Sequence, residues 1–117
     1  MILILSDDAV AAALLGALIE TLGYAVRFAR PPETTDQTIR RVRPKVCLLD
    51  CVDPDACTPE LLGRAAMCQI SVVIFGTREA LDRVRALALE HSIDTLLVPP
   101  DPVELEETLK RAVRRAG

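Results

Sequence analysis

A doubly wound α/β fold, with one parallel sheet of five strands wrapped by five helices, is what this sequence predicts. Five short runs are almost wholly apolar, at Ile2–Leu5 and at residues 24–28, 46–49, 71–75 and 95–98. Continuous apolar runs of this length suit strands buried on both faces, whereas half-exposed strands alternate in polarity. Segments with helical spacing separate the runs, and the connections are short, as in βαβ units.

The elements follow in order. After the first strand, residues 9–22 form an apolar, alanine-rich helix with Gly23 as a suitable C-cap and Glu20 as its one charge. That helix packs in the core, with surface to spare for a dimer or partner face. Residues 34–42 make the weakest helix, in which Ile39 and Val42 are the expected buried positions. Thr58 before Pro59 is an N-cap hydroxyl ahead of proline at the first helical position, opening a helix over 59–66. Leu81, Val84, Leu87 and Ala88 form the stripe of a helix over Arg78–Glu90. The last helix opens on Asp101-Pro102-Val103-Glu104, close to a capping box, with Leu105, Leu109, Ala112 and Val113 facing the core. Its favourable i,i+4 pairs are Glu106–Lys110 and Glu107–Arg111.

Composition narrows the function. The chain has 117 residues, half of them hydrophobic, and reads as a single domain over 1–117 without repeats or linkers. Only Tyr24, Phe28 and Phe75 are aromatic, too few for surfaces that stack bases or grip sugars. A net charge of −3 argues against nucleic-acid binding. No apolar run is long enough to span a membrane, and the start, MILILSDD, lacks the basic leader of a signal peptide. Cys47, Cys51, Cys57 and Cys68 show neither paired zinc spacing nor disulfide density, which suits a reducing cytoplasm. The basic end at Lys110, Arg111, Arg114 and Arg115 stops without a final turn, which suits either a piece of a longer chain or a frayed native terminus.

In such sheets ligands bind beyond the carboxyl ends of the strands. Asp7 and Asp8 follow the first strand and Asp50 ends the third, which is its neighbour in the commonest five-strand order. Like charges brought together there call for a hard cation such as Mg²⁺. The competing role is helix capping, above all for Asp8. The loop Ser6-Asp7-Asp8-Ala9 has no glycine and two acids, so a phosphate cradle for a nucleotide or flavin is a poor fit.

Several motifs then line up in order and spacing. These are Ile4-Leu5-Ser6-Asp7-Asp8; Leu22-Gly23-Tyr24-Ala25-Val26; Arg43-Pro44-Lys45 leading to Leu48-Leu49-Asp50, with Pro54 beyond; Val73-Ile74-Phe75-Gly76-Thr77; Arg83-Val84-Arg85-Ala86-Leu87; and Val98-Pro99-Pro100. Over essentially the whole chain the sequence resembles a response-regulator receiver domain (CheY-like). The resemblance implies strand order 2-1-3-4-5 and makes Asp50 the phosphoacceptor. It makes Asp7, Asp50 and the backbone carbonyl of Val52 ligands of Mg²⁺, with Asp8 as a substitute ligand. Thr77 becomes the hydroxyl that meets the phosphoryl group, with a one-residue ambiguity from Gly76. It further implies a sensor histidine kinase or phosphotransfer protein as phosphodonor, a homodimer, and a C-terminal output domain that regulates transcription.

Four positions depart from the family pattern, one of them Thr58, which stands where a glycine is expected eight positions after the phosphoacceptor. Ser6 stands where the first acid of the pair belongs, Leu96 where strand five carries an aromatic switch, and Pro99 where a lysine contacts the phosphoryl group. Proline offers neither charge nor donor. The expectation is therefore an atypical receiver, a regulatory interaction module rather than an enzyme, with an altered readout. The alternatives are a conventional phosphorylation switch, a Mg²⁺-dependent phosphotransfer or phosphohydrolase enzyme suggested by Asp53-Pro54-Asp55, and a thiol sensor at Cys51 and Cys57. His91, the single histidine, lies at a predicted helix end and has no partner motif.

Overall fold

The computed structural model describes residues 1–50 and 58–116. The element order is β1 (Ile2–Leu5), α1 (Ala9–Thr21), β2 (Val26–Phe28), α2 (Thr35–Val42), β3 (Val46–Asp50), α3 (Pro59–Met67), β4 (Ser71–Gly76), α4 (Arg78–Glu90), β5 (Asp94–Leu97) and α5 (Pro102–Arg115). All pairings are parallel and the sheet order is β2-β1-β3-β4-β5, as expected. Chain direction therefore places the ends of β1 and β3 side by side on one edge, with Leu5 opposite Leu49.

The period of two along each strand divides the core. Ile2, Ile4, Val46, Leu48, Val73, Phe75 and Leu96 face α1 and α5, where they meet Leu15, Ile19, Leu105 and Leu109. Leu3, Leu5, Cys47, Leu49 and Ile74 face the opposite way, toward Leu61, Leu62 and Ala65 of α3 and Ala80 of α4. β1 is buried on both faces, and so are residues 46–49 of β3. The edge strands are not. In β2 only Val26 is buried and in β5 only Leu96, because an edge strand is covered by fewer helices. The run at 24–28 joins the sheet only from Val26, while Tyr24 packs against the core from the turn before it.

Local rules account for the helix ends. Thr58 accepts from the Leu61 amide ahead of Pro59, and Asp101 accepts from the Val103 amide ahead of α5. The full capping box lies at α2 instead: Thr34 Oγ1 accepts from Gln37 N, and Gln37 Oε1 accepts from Thr34 N. In α2 the fully buried residue is Thr38, while Ile39 and Val42 are half-buried. The Thr38 hydroxyl donates within reach of Thr34 O and Glu33 Oε1, which satisfies it inside the core. In α5, Leu105, Leu109 and Ala112 are buried as expected, but Thr108 is buried and Val113 is exposed, a correction at one edge of the expected core face. Lys110 pairs with Glu106 at 3.1 Å, whereas Arg111 turns to Asp94 at 3.6 Å and shares it with Arg115. Asp94 opens β5, so these arginines tie the end of α5 to the sheet.

The loop before α2 is fastened by Glu33. Its carboxylate receives two donors from Arg41 at 2.7 and 2.9 Å and the Arg30 amide at 2.8 Å. The Arg41 hydrogen bond, then the Arg30 amide, hold the Glu33 carboxyl down at about 2. A carboxyl depressed in the folded state stabilises the fold above its unfolded value near 4.5, and that contribution disappears as pH falls toward 2. Acid titration followed by circular dichroism should therefore show a smaller stability loss between pH 4.5 and 2 in Glu33→Gln than in the unmodified chain.

Gly16 marks a close approach: a Cβ there would meet Cζ of Phe28 at 2.8 Å. Among the described residues no helix is long and apolar enough to cross a membrane.

Candidate functional site

The site is assembled on the carboxyl edge of the sheet by β1 and β3. Asp50 is the last residue of β3 and half-buried, opposite Phe75 of β4 in register. Ser6 directly follows β1, half-buried, and its Oγ donates to Asp50 Oδ2 at 2.6 Å. That distance is typical of a hydroxyl bonded to a charged carboxylate. The Asp8 amide donates to the same Oγ at 3.1 Å, so Ser6 connects the start of α1 to the end of β3.

The two neighbouring acids do different things. Asp8 is the N-cap of α1, its Oδ1 accepting from the amides of Val10 at 3.1 Å and Ala11 at 3.0 Å. Capping thus accounts for Asp8 without any ligand. Asp7 is exposed on the same edge. The expected convergence of three acids is in this way reduced, and no group of three metal-ligating side chains forms among the described residues. The Val52 carbonyl, Cys51, Cys57 and the Asp53-Pro54-Asp55 acids lie outside those residues.

Two carboxylates remain on this edge. Asp7 and Asp50 offer carboxylate oxygens from adjacent strand ends, and Mg²⁺ commonly binds through one or two carboxylates while keeping several waters. Asp8 contributes its oxygen to helix capping. Two carboxylates are donor chemistry of the kind that fits Mg²⁺.

The positions expected to read out the site lie on β4 and β5. Thr77 follows Gly76, the buried last residue of β4, and its hydroxyl accepts from Ala80 N at 3.3 Å as the N-cap of α4. It is exposed on the same edge as Asp50. Leu96 is wholly buried, opposite Phe75, and packs in the layer formed with α1 and α5. Pro99 is exposed just beyond β5, where the Val98 amide donates to Gly76 O at 3.0 Å and holds the two strand ends together. The peptide bond between Val98 and Pro99 is cis. His91 caps the C-terminal end of α4, remote from Asp50, and Cys68 is exposed at the end of α3.

The residue that sequence reasoning undervalued is Ser6. It registered as a missing acid, whereas the structure makes it a donor to Asp50. The signal was available: a hydroxyl at the end of β1 faces whatever ends β3, since those strands are neighbours.

No family model matches this chain, and no curated protein matches it either. Solved structures do. A candidate response regulator from Chloroflexus aurantiacus is 24% identical with a TM-score of 0.78, covering 97% of this chain and 96% of that one. The receiver domain of NtrX from Brucella abortus is 19% identical with a TM-score of 0.78, covering 97% and 98%. A CheY-like receiver domain protein from Methanospirillum hungatei is 21% identical with a TM-score of 0.68, covering 98% and 94%. In the longer NtrX chain the same fold makes up 27% of the length. The architecture is that of response-regulator receiver domains, over essentially the whole of this chain.

Proposed function

We propose that this chain is an atypical receiver: a regulatory interaction module of a two-component system whose phosphoacceptor is Asp50 and whose readout is altered. One observation carries the reading. In a receiver fold, a carboxylate ends the central strand β3 and faces the loop after β1. The Asp50 carboxylate attacks the phosphorus of a phosphodonor in line, and the donor's leaving group, a nitrogen in a phosphohistidine or an oxygen in an acyl phosphate, departs with the electron pair of the broken bond. Mg²⁺ would be held by Asp7 and Asp50, with the Val52 carbonyl as the further ligand that the resemblance implies, and would supply charge neutralisation for the transferring group. Thr77 stands on the edge where its hydroxyl can donate to a phosphoryl oxygen.

The readout differs because two of its parts differ. Leu96 is fully buried and is not aromatic, so strand five offers no ring to swing between core and surface. Pro99 brings no cation to the phosphoryl group. The module therefore works with a sensor histidine kinase or phosphotransfer protein as donor, or through standing protein contacts. It acts as a homodimer in the cytoplasm, joined to a C-terminal output domain that regulates transcription.

The test is chemical. With Mg²⁺ and a small acyl phosphate the chain should gain one phosphoryl mass, and the gain should vanish in Asp50→Asn. Asp7→Asn should slow the gain by roughly tenfold or more, because a metal-stabilised charge is worth several kcal/mol. Turnover of unrelated phosphoesters, abolished by Asp7→Asn, would instead make the chain a Mg²⁺-dependent phosphohydrolase.

A further inference from the structure

We infer that Ser6 is a positioning residue that couples the charge on Asp50 to the start of α1, an inference that rests on Asp50 being the phosphoacceptor. The Ser6 hydroxyl carries one proton and has two acceptors in reach, Asp50 Oδ2 at 2.6 Å and Asp8 O at 3.5 Å. The nearer acceptor is a carboxylate oxygen, and it accepts the Ser6 hydrogen bond. The Asp8 amide in turn donates to Ser6 Oγ, while the Asp8 carboxylate caps the amides of Val10 and Ala11. An unbroken set of hydrogen bonds thus runs from Asp50 through Ser6 to the first turn of α1.

Phosphorylation changes the end of that set. One carboxylate oxygen of Asp50 forms the bond to phosphorus, the bond from phosphorus to the donor's leaving atom breaks, and the negative charge moves onto the phosphoryl group. The other oxygen becomes an anhydride carbonyl, a weaker acceptor than a carboxylate. The Ser6 proton then has less reason to prefer Asp50 over the Asp8 carbonyl, and the start of α1 feels the difference. The same bond stabilises the unmodified carboxylate, so Ser6 restrains phosphorylation as well as reporting it. α1 presents Val10 at 69% and Leu14 at 65% exposure, so a shift at its first turn reaches the molecular surface.

Amide NMR on the full chain tests the coupling without any phosphodonor, because Asp50→Asn removes the charge outright. Asp50→Asn should shift the Asp8, Val10 and Ala11 amides and speed their hydrogen exchange about three- to tenfold, the scale of one weakened charge-assisted bond. In a Ser6→Ala background the same substitution should leave those amides nearly unmoved, and Ser6→Thr should restore the response. Equal shifts with and without the Ser6 hydroxyl would overturn the coupling. The positioning role has its own readout. Ser6→Ala should take phosphate from an acyl phosphate about three- to tenfold faster than the unmodified chain, with Ser6→Thr close to unmodified. An unchanged or slower rate refutes the restraint. Absence of labelling in every variant would remove the acceptor role of Asp50, while the amide shifts would still decide whether Ser6 couples that position to α1.

Discussion

Phe75→Ala is expected to destabilise the domain by about 3–5 kcal/mol, the range for emptying a buried phenylalanine site. The ring is 2% exposed and lies in the centre of the sheet, with Asp50 opposite it on β3 and Leu96 opposite it on β5. It packs in the layer shared with α1 and α5, so its removal leaves a cavity that backbone pairing on both sides prevents from collapsing. Domains of this kind are stable by roughly 5–15 kcal/mol, so the variant should sit near the edge of folding. Urea denaturation should show a large drop in midpoint with an unchanged slope. A loss below about 1 kcal/mol would mean that the core is not packed around this ring.

Pro99→Lys is expected to strengthen phosphorylation-dependent self-association by roughly ten- to hundredfold. A charge-assisted hydrogen bond is worth about 1.5–3 kcal/mol, and each 1.4 kcal/mol is a factor of ten. Pro99 follows β5 beside the end of β4, on the edge that carries Thr77 and Asp50. An ammonium there supplies the donor that proline lacks. Sedimentation with and without acyl phosphate and Mg²⁺ measures the effect. Association that does not increase would show that the altered readout lies elsewhere than at position 99.

Most of the fold was legible because its strands are short, apolar and separated by strong helix signals. Thr58-Pro59 and Asp101-Pro102 marked two helix starts correctly, since capping is a local interaction between residues adjacent in sequence. Reading failed where tertiary geometry decided. The expected core face of α5 includes Val113 and leaves out Thr108, yet the orientation of α5 on the sheet buries the threonine. Glu107 and Arg111 have ideal helical spacing, but Asp94 lies nearer the path of the arginine. Thr34-x-x-Gln37 was a readable capping box, overlooked because the helix it opens has few apolar residues.

The site was half legible for the same reason. Placing Asp7, Ser6 and Asp50 on one edge needed only strand order. Which of the acids would meet needed side-chain directions: Asp8 turns back to its own helix, and Ser6 turns across to β3. A sequence reading counts a serine in an acidic pair as a lost charge. The structure shows that the hydroxyl takes up a position against the carboxylate.

The central claim is that Asp50 accepts a phosphoryl group, and locating that group tests it most directly. Tryptic cleavage after Lys45 and Arg64 releases one peptide, residues 46–64, which holds Asp50 together with Asp53, Asp55 and Glu60. After treatment with acyl phosphate and Mg²⁺, fragmentation of this peptide should place the phosphoryl mass on Asp50 and find none in Asp50→Asn. A phosphoryl group on Asp53 or Asp55, or labelling that survives Asp50→Asn, would contradict the account.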